Sequence, residues 1–194
     1  MRKWKRVKAA DGPRLVSVLE PHESAVLRNM ATSMQEMLVD RQSGAPSDPL
    51  EQITGIRTGN ADPPQDATMR RLLPDFVRGA DGAGGTDGDS GANAALRSLH
   101  EPEIIDAKIA AAQQLLDTLP DSGGPVELTE ADAQAWIAAI NDIRLALGTM
   151  LGIAPDSPDR LPAGHPMASH LDVYQWLTAL QEFLVLGLMG KPIR

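Results

Sequence analysis

The sequence predicts a mainly α fold: a four-helix-bundle-like core with a small N-terminal β-hairpin and a flexible Gly/Asp-rich loop. Three observations lead there. Apolar residues recur at steps of three and four over residues 20–42, 102–119, 128–153 and 169–189, which makes four amphipathic helices of similar length. Strand-like runs are confined to the first nineteen residues. Residues 79–91 carry Gly and Asp with almost no apolar side chain, too little to offset the entropy of ordering them. At 194 residues the chain suits a single domain, with hairpin 1–19, helix and structured loop 20–78, flexible loop 79–91 and helical core 92–194.

The hairpin consists of strands over 3–8 and 14–19, joined at Ala10-Asp11-Gly12-Pro13. Asp and Gly accept the turn backbone there, and proline presets its own φ. Pro21-His22-Glu23 opens a helix to about Gln42, since proline suits a first turn where its missing N–H costs nothing. Its stripe of Leu27, Met30, Met34, Met37 and Leu38 reads as core, with an adaptable partner groove as the alternative use of so many thioethers. Repeated Pro, Gly and Asp between 43 and 67 leave room only for short turns such as Pro49 to Thr54. Ala67 to Phe76 is a short helix with Met69, Leu72, Leu73 and Phe76 inward. Ala92 to Leu99 and Pro102 to Leu119 form the next pair, with Ile105, Ile109, Ala112, Leu116 and Leu119 on one face.

The C-terminal third organises the rest. Leu128-Thr129-Glu130-Ala131-Asp132 is a helix start, in which Thr129 caps and the acids meet the positive end of the dipole. Trp136, Ile140, Ile143, Leu147 and Met150 follow on one face, and Gly152 and Pro155 end the helix near Ile153. Ser169 to Met189 is apolar over more of its circumference than a surface helix needs, so self-association through Trp176, Leu180 and Phe183 is expected, most simply as a homodimer. Asp172, Gln175, Gln181 and Glu182 interrupt it, which argues against a membrane span.

Composition narrows the chemistry. The formal charge is −8, and residues 1–14 hold six Lys or Arg against one acid. The body is therefore acidic and the tip basic, so nucleic acid would meet this chain locally or through another protein. No cysteine is present, which removes disulfides, thiolate nucleophiles and Cys-ligated zinc. The basic start is followed by no apolar run of a signal peptide, so a cytoplasmic location is expected. His22, His100, His165 and His170 are dispersed. Only His100-Glu101-Pro102-Glu103 clusters ligand types, and it reads as a helix entry rather than a metal site. The Gly-rich run lacks the Gly-Lys-Ser/Thr ending of a phosphate loop, and no Gly-x-Ser-x-Gly elbow occurs. The expectation is a protein that is not an enzyme and carries no cofactor or metal. One cluster has directional meaning: Arg2, Lys3, Lys5, Arg6 and Lys8 around Trp4. It serves either as a lysine-protected edge strand or as a DNA or partner contact in which cations track phosphates and the indole stacks on a base.

Several runs also carry a resemblance: Met1-Arg2-Lys3-Trp4-Lys5-Arg6-Val7, Glu51-Gln52-Ile53-Thr54-Gly55-Ile56-Arg57-Thr58-Gly59, Arg70-Arg71-Leu72-Leu73-Pro74-Asp75-Phe76, Ala94 to Ile105, and Leu161-Pro162-Ala163-Gly164-His165-Pro166. With these the chain resembles the actinobacterial family of uncharacterised-domain proteins that includes the mycobacterial oxidative-stress regulator AosR. The resemblance implies a redox-responsive transcriptional regulator of thiol-metabolism genes, with a sigma factor or RNA polymerase as partner. A disulfide switch cannot be carried over to any residue here, because no cysteine exists. The rival expectation is a helical interaction or adaptor protein unrelated to transcription.

Overall fold

The computed structural model describes residues 4–10, 12–45, 55, 57–77, 87–154, 157 and 164–191. Its order is β1 (Lys5–Ala9), β2 (Gly12–Leu19), α1 (Pro21–Ser43), α2 (Ala67–Leu72), α3 (Asp87–Thr118), β3 (Gly124–Leu128), α4 (Glu130–Met150) and α5 (Ala168–Leu188). The fold is mainly α with a small antiparallel sheet, as the periodicity predicts. The helix α3 packs between α1 and α4, α5 lies along α4, and the sheet sits against α3, α4 and α5.

The sheet departs from a hairpin. β3 pairs with β2 from Leu15↔Leu128 to Leu19↔Gly124, giving three strands in the order β1-β2-β3. Gly124-Pro125 disguises this strand, yet Val126 and Leu128 are buried while Pro125 and Glu127 are exposed, the period-two pattern of a half-buried strand. Leu128 therefore ends β3 rather than beginning a helix. β3 also stops short of Pro13, which pairs only with Lys8 and so sits where no second neighbour needs its missing N–H.

α1 and α4 start where local chemistry places them. Pro21 occupies the first turn of α1 and the Glu23 carboxylate accepts the Glu20 N–H at 2.9 Å. At α4, Thr129 Oγ1 accepts the Asp132 N–H at 3.0 Å, and Asp132 accepts the Thr129 N–H at 2.9 Å. Burial alone would raise the Asp132 carboxyl; the bonds from Thr129 and Gln114 outweigh it and hold the group below the ordinary range. Gly152, with φ +63°, follows α4 in the left-handed conformation that ends helices.

Between residues 87 and 118 two expected helices are one, and Pro102 lies inside it. Proline at 102 deprives the Ser98 carbonyl of its partner four residues on. That carbonyl instead accepts the Gly59 N–H at 2.7 Å. Glycine is needed at 59, because a Cβ there would stand 2.9 Å from the Pro102 ring carbons. The incoming loop thus completes the helix it crosses. Asp87 to Gly91, expected within the flexible loop, belongs to this helix; residues 79–86 and the turn expected over Pro49 to Thr54 lie outside the described residues.

Trp136 and Trp4 anchor the core. Their rings meet edge-on at 6.0 Å, and Trp136 Nε1 donates to Thr118 Oγ1 at 2.7 Å. Arg144 ties α4 to α5: its Nη1 donates to Gln181 at 2.5 Å, its Nε to Thr178 at 3.1 Å, and its guanidinium lies 5.2 Å from the Tyr174 ring centre. On α5, Gly187 rests against Leu15. α2 is shorter than its pattern suggests, ending at Leu72, and Phe76 beyond it is 39% exposed rather than inward.

Candidate functional site

The basic tip becomes the free edge of the sheet. Among the described residues β1 pairs with β2 alone, and all five of its residues are exposed. Lys5 and Lys8 are exposed with the strand, while Arg6 bridges to Glu130 at 3.1 Å. Arg2 and Lys3 lie outside the described residues. Trp4 does not join this cluster. It is 2% exposed and packs on Trp136, so its indole is unavailable to stack on a base; this corrects the grouping of Trp4 with the cations. What remains at the tip is a charged edge strand, suited to phosphates or carboxylates and shielded by its lysines from pairing with hydrophobic strands.

The expected self-association face is also divided. Leu180 is fully buried within the chain and cannot form part of an interface, while Trp176 and Phe183 are half-buried against the same core. The large apolar side chains left exposed here are Val185 on α5 and Met189 just past its end.

The segment His100-Glu101-Pro102-Glu103 is mid-helix and not a helix entry, with Glu101 and Pro102 buried and His100 and Glu103 exposed. Glu101 is 1% exposed and bridges two arginines: Arg41 Nε donates to Oε1 at 2.7 Å and Arg97 Nη1 to Oε2 at 2.8 Å. Arg97, itself 1% exposed, also donates to the Leu73 carbonyl at 3.1 Å and to Asp75 at 2.8 Å. Arg41 reaches the Asp62 carbonyl at 2.6 Å. With its two forks filled by protein partners, this network binds loop 57–77 to α1 and α3 rather than holding a ligand. No group of three metal-ligating side chains converges among the described residues.

A second buried charge crosses from α3 to α4, where Lys108 Nζ donates to Asp142 at 2.7 Å. Burial pushes the Asp142 carboxyl above the ordinary range, against the hydrogen bond and charge of Lys108. The sign follows from linkage. A folded pKa above the unfolded one adds stability that is complete below the unfolded pKa and is lost as pH rises through the folded value. Asp142→Asn should remove this dependence between pH 7 and pH 4, since an amide does not titrate. The native chain should gain on the variant as pH falls toward 4. Urea unfolding of both at the two pH values checks this; a native chain that loses ground instead would mean that Lys108 outweighs burial.

The remaining feature is a cleft of about 270 Å³ between α1, α4 and the start of α5. Met30, Met34 and Met37 line it from α1, Ile143, Leu147 and Met150 from α4, and His170 from α5. Met34 is 2% exposed at its base, Met30 and Met37 are half-buried, and Met150 is 70% exposed at its mouth. Met150 thus does not share the burial of the other residues in its stripe. The methionine spacing on α1 was legible as a stripe, but its convergence with Met150, more than a hundred residues away, was not.

A family model described as "Domain of unknown function (DUF2017)" matches residues 1–188. The chain is 63% identical over 195 residues to the oxidative stress regulators AosR of Mycobacterium bovis and Mycobacterium tuberculosis, covering 98% of this chain and 89% of each relative. It is 58% identical over 194 residues to the putative oxidative stress regulator AosR of Mycobacterium leprae, with the same coverage. No solved structure matches significantly. Among the described residues no helix is long and apolar enough to cross a membrane.

Proposed function

The chain belongs to the DUF2017 family, and from that premise we propose that it is an oxidative-stress regulator that acts on transcription through a sigma factor or RNA polymerase, without a reaction of its own. The observation that carries this reading is the 63% identity to named stress regulators over 98% of the chain. An exposed cationic edge on an acidic molecule supports a partner-mediated mode. Five exposed residues of β1 offer backbone and charge to a neighbour, while the acidic remainder opposes wrapping by DNA.

The test uses the full chain with purified RNA polymerase, a stress sigma factor and a labelled promoter fragment. Native protein should be retained by polymerase or sigma factor and should bind the fragment weakly alone. Each phosphate contacted by the tip would add close to one unit of negative slope in log affinity against log salt. Replacing Lys3, Lys5 and Lys8 by Gln should weaken the assembled complex and flatten that slope, with stability altered by no more than about 0.5 kcal/mol. Retention of neither polymerase nor sigma factor would overturn the reading and favour an adaptor acting outside transcription. Equal binding by the triple variant would remove the tip from the mechanism.

A further inference from the structure

We infer that the methionine-lined cleft is a reversible oxidation site, in which a peroxide converts Met150, Met30 and Met37 to sulfoxides and so weakens the seam between α1 and α4. Two observations meet here. The chain has no cysteine, so no thiol competes for oxidant, and four of its eight methionines line this one cleft. Their exposure is graded. Met150 is open to solvent, Met30 and Met37 are half-buried, and Met34 is shielded beneath them. Susceptibility follows access, so oxidation enters from the mouth and stops above the base.

The chemistry balances without a metal. The thioether sulfur attacks one peroxide oxygen, the O–O bond breaks as the S–O bond forms, and the other oxygen leaves as hydroxide and takes a proton to become water. Sulfur loses two electrons and the peroxide gains them. A thiol-dependent sulfoxide reductase returns two electrons and releases the oxygen as water. The structural effect follows from polarity. A sulfoxide needs hydrogen-bond partners; the polar lining residues Asn29, Ser33 and His170 are exposed, and the α4 side of the cleft is Ile143, Ala146 and Leu147, whose side chains offer none. Water must enter or α1 must move away from α4.

The inference rests on the stress-regulator reading for its biological role, but its chemistry is tested without any partner. Purified full chain is treated with hydrogen peroxide and mapped by peptide mass spectrometry. Met150, Met30 and Met37 should gain oxygen, Met150 on the order of tenfold faster than Met34. Melting temperature should fall by about 4 °C and recover after treatment with methionine sulfoxide reductase. A chain carrying Met30→Leu, Met37→Leu and Met150→Leu should keep its melting temperature through the same dose, since leucine conserves volume and does not oxidise. Met189→Leu, which replaces an exposed methionine outside the cleft lining, should lose stability as the native chain does. Met30→Leu with Met37→Leu is the milder variant and should remove most of the shift if the triple variant folds poorly, since these two are the half-buried ones. Conversion of the cleft methionines with no change in melting, or equal loss in the leucine variants, overturns the proposal. Failure to retain polymerase leaves these readouts untouched, so the two ideas fail separately.

Discussion

Replacing Arg97 by Ala should destabilise the protein by about 3–5 kcal/mol, one of the two largest effects expected of a single substitution here. The guanidinium is 1% exposed and donates to Leu73, Asp75 and Glu101. Its removal leaves the Leu73 carbonyl and one oxygen of Glu101 without that donor, while Arg41 still holds the other oxygen. Asp75 is half exposed and turns to water, so the cost comes from the two interior acceptors. Arg97→Lys should recover little, because one ammonium cannot reproduce a planar fork aimed at three partners. Equilibrium unfolding in urea measures the loss, and hydrogen exchange should show residues 57–77 released first, since the network fastens that loop to α1 and α3. A loss below about 1 kcal/mol would mean that the loop is held by Leu72, Leu73 and Met69 and not by charge.

Trp4→Ala should cost a comparable amount, about 3–5 kcal/mol, through the lost burial and the cavity left against Trp136. The result bears directly on the tip. A tryptophan that stacked on a base would be dispensable for folding, and its removal would lower affinity alone. Here the indole is the peg that seats β1 on the helical core, one residue before the lysine edge begins. Lys5→Gln, by contrast, should move stability by no more than about 0.5 kcal/mol. Thermal melting followed by circular dichroism separates the two. Equal melting of Trp4→Ala and native chain would return Trp4 to the exposed cluster.

Much of the helical frame was legible because its signals are local. Glu23 at the start of α1, and Thr129 with Asp132 at the start of α4, satisfy backbone donors within three residues, and Pro21 removes one, so their meaning does not depend on the rest of the chain. The stripes Trp136, Ile140, Ile143 and Leu147, and Leu177, Leu180 and Leu184, are buried as their spacing requires. The second stripe belongs to a helix that meets both α4 and β2, a demand that hydrophobicity alone cannot distinguish from a second subunit.

By itself the sequence determined the class, the four long helical runs, the acidic body with its basic tip and the absence of thiol chemistry, because each of these depends on composition or on residues three and four apart. Tertiary structure decided the rest. Pro102 is tolerated inside α3 only because Gly59 arrives from 43 residues earlier to donate to Ser98. Glu101 is a buried partner of Arg41 and Arg97 instead of a helix-entry acid, Trp4 is core instead of tip, and β3 exists because β2 offers it an edge. The methionines of α1 become the wall of a cleft only when α4 places Met150 at its mouth. The common reason is physical: a proline, a carboxylate or an indole takes its energy from whichever group satisfies or covers it, and in each case that group lies far away along the chain.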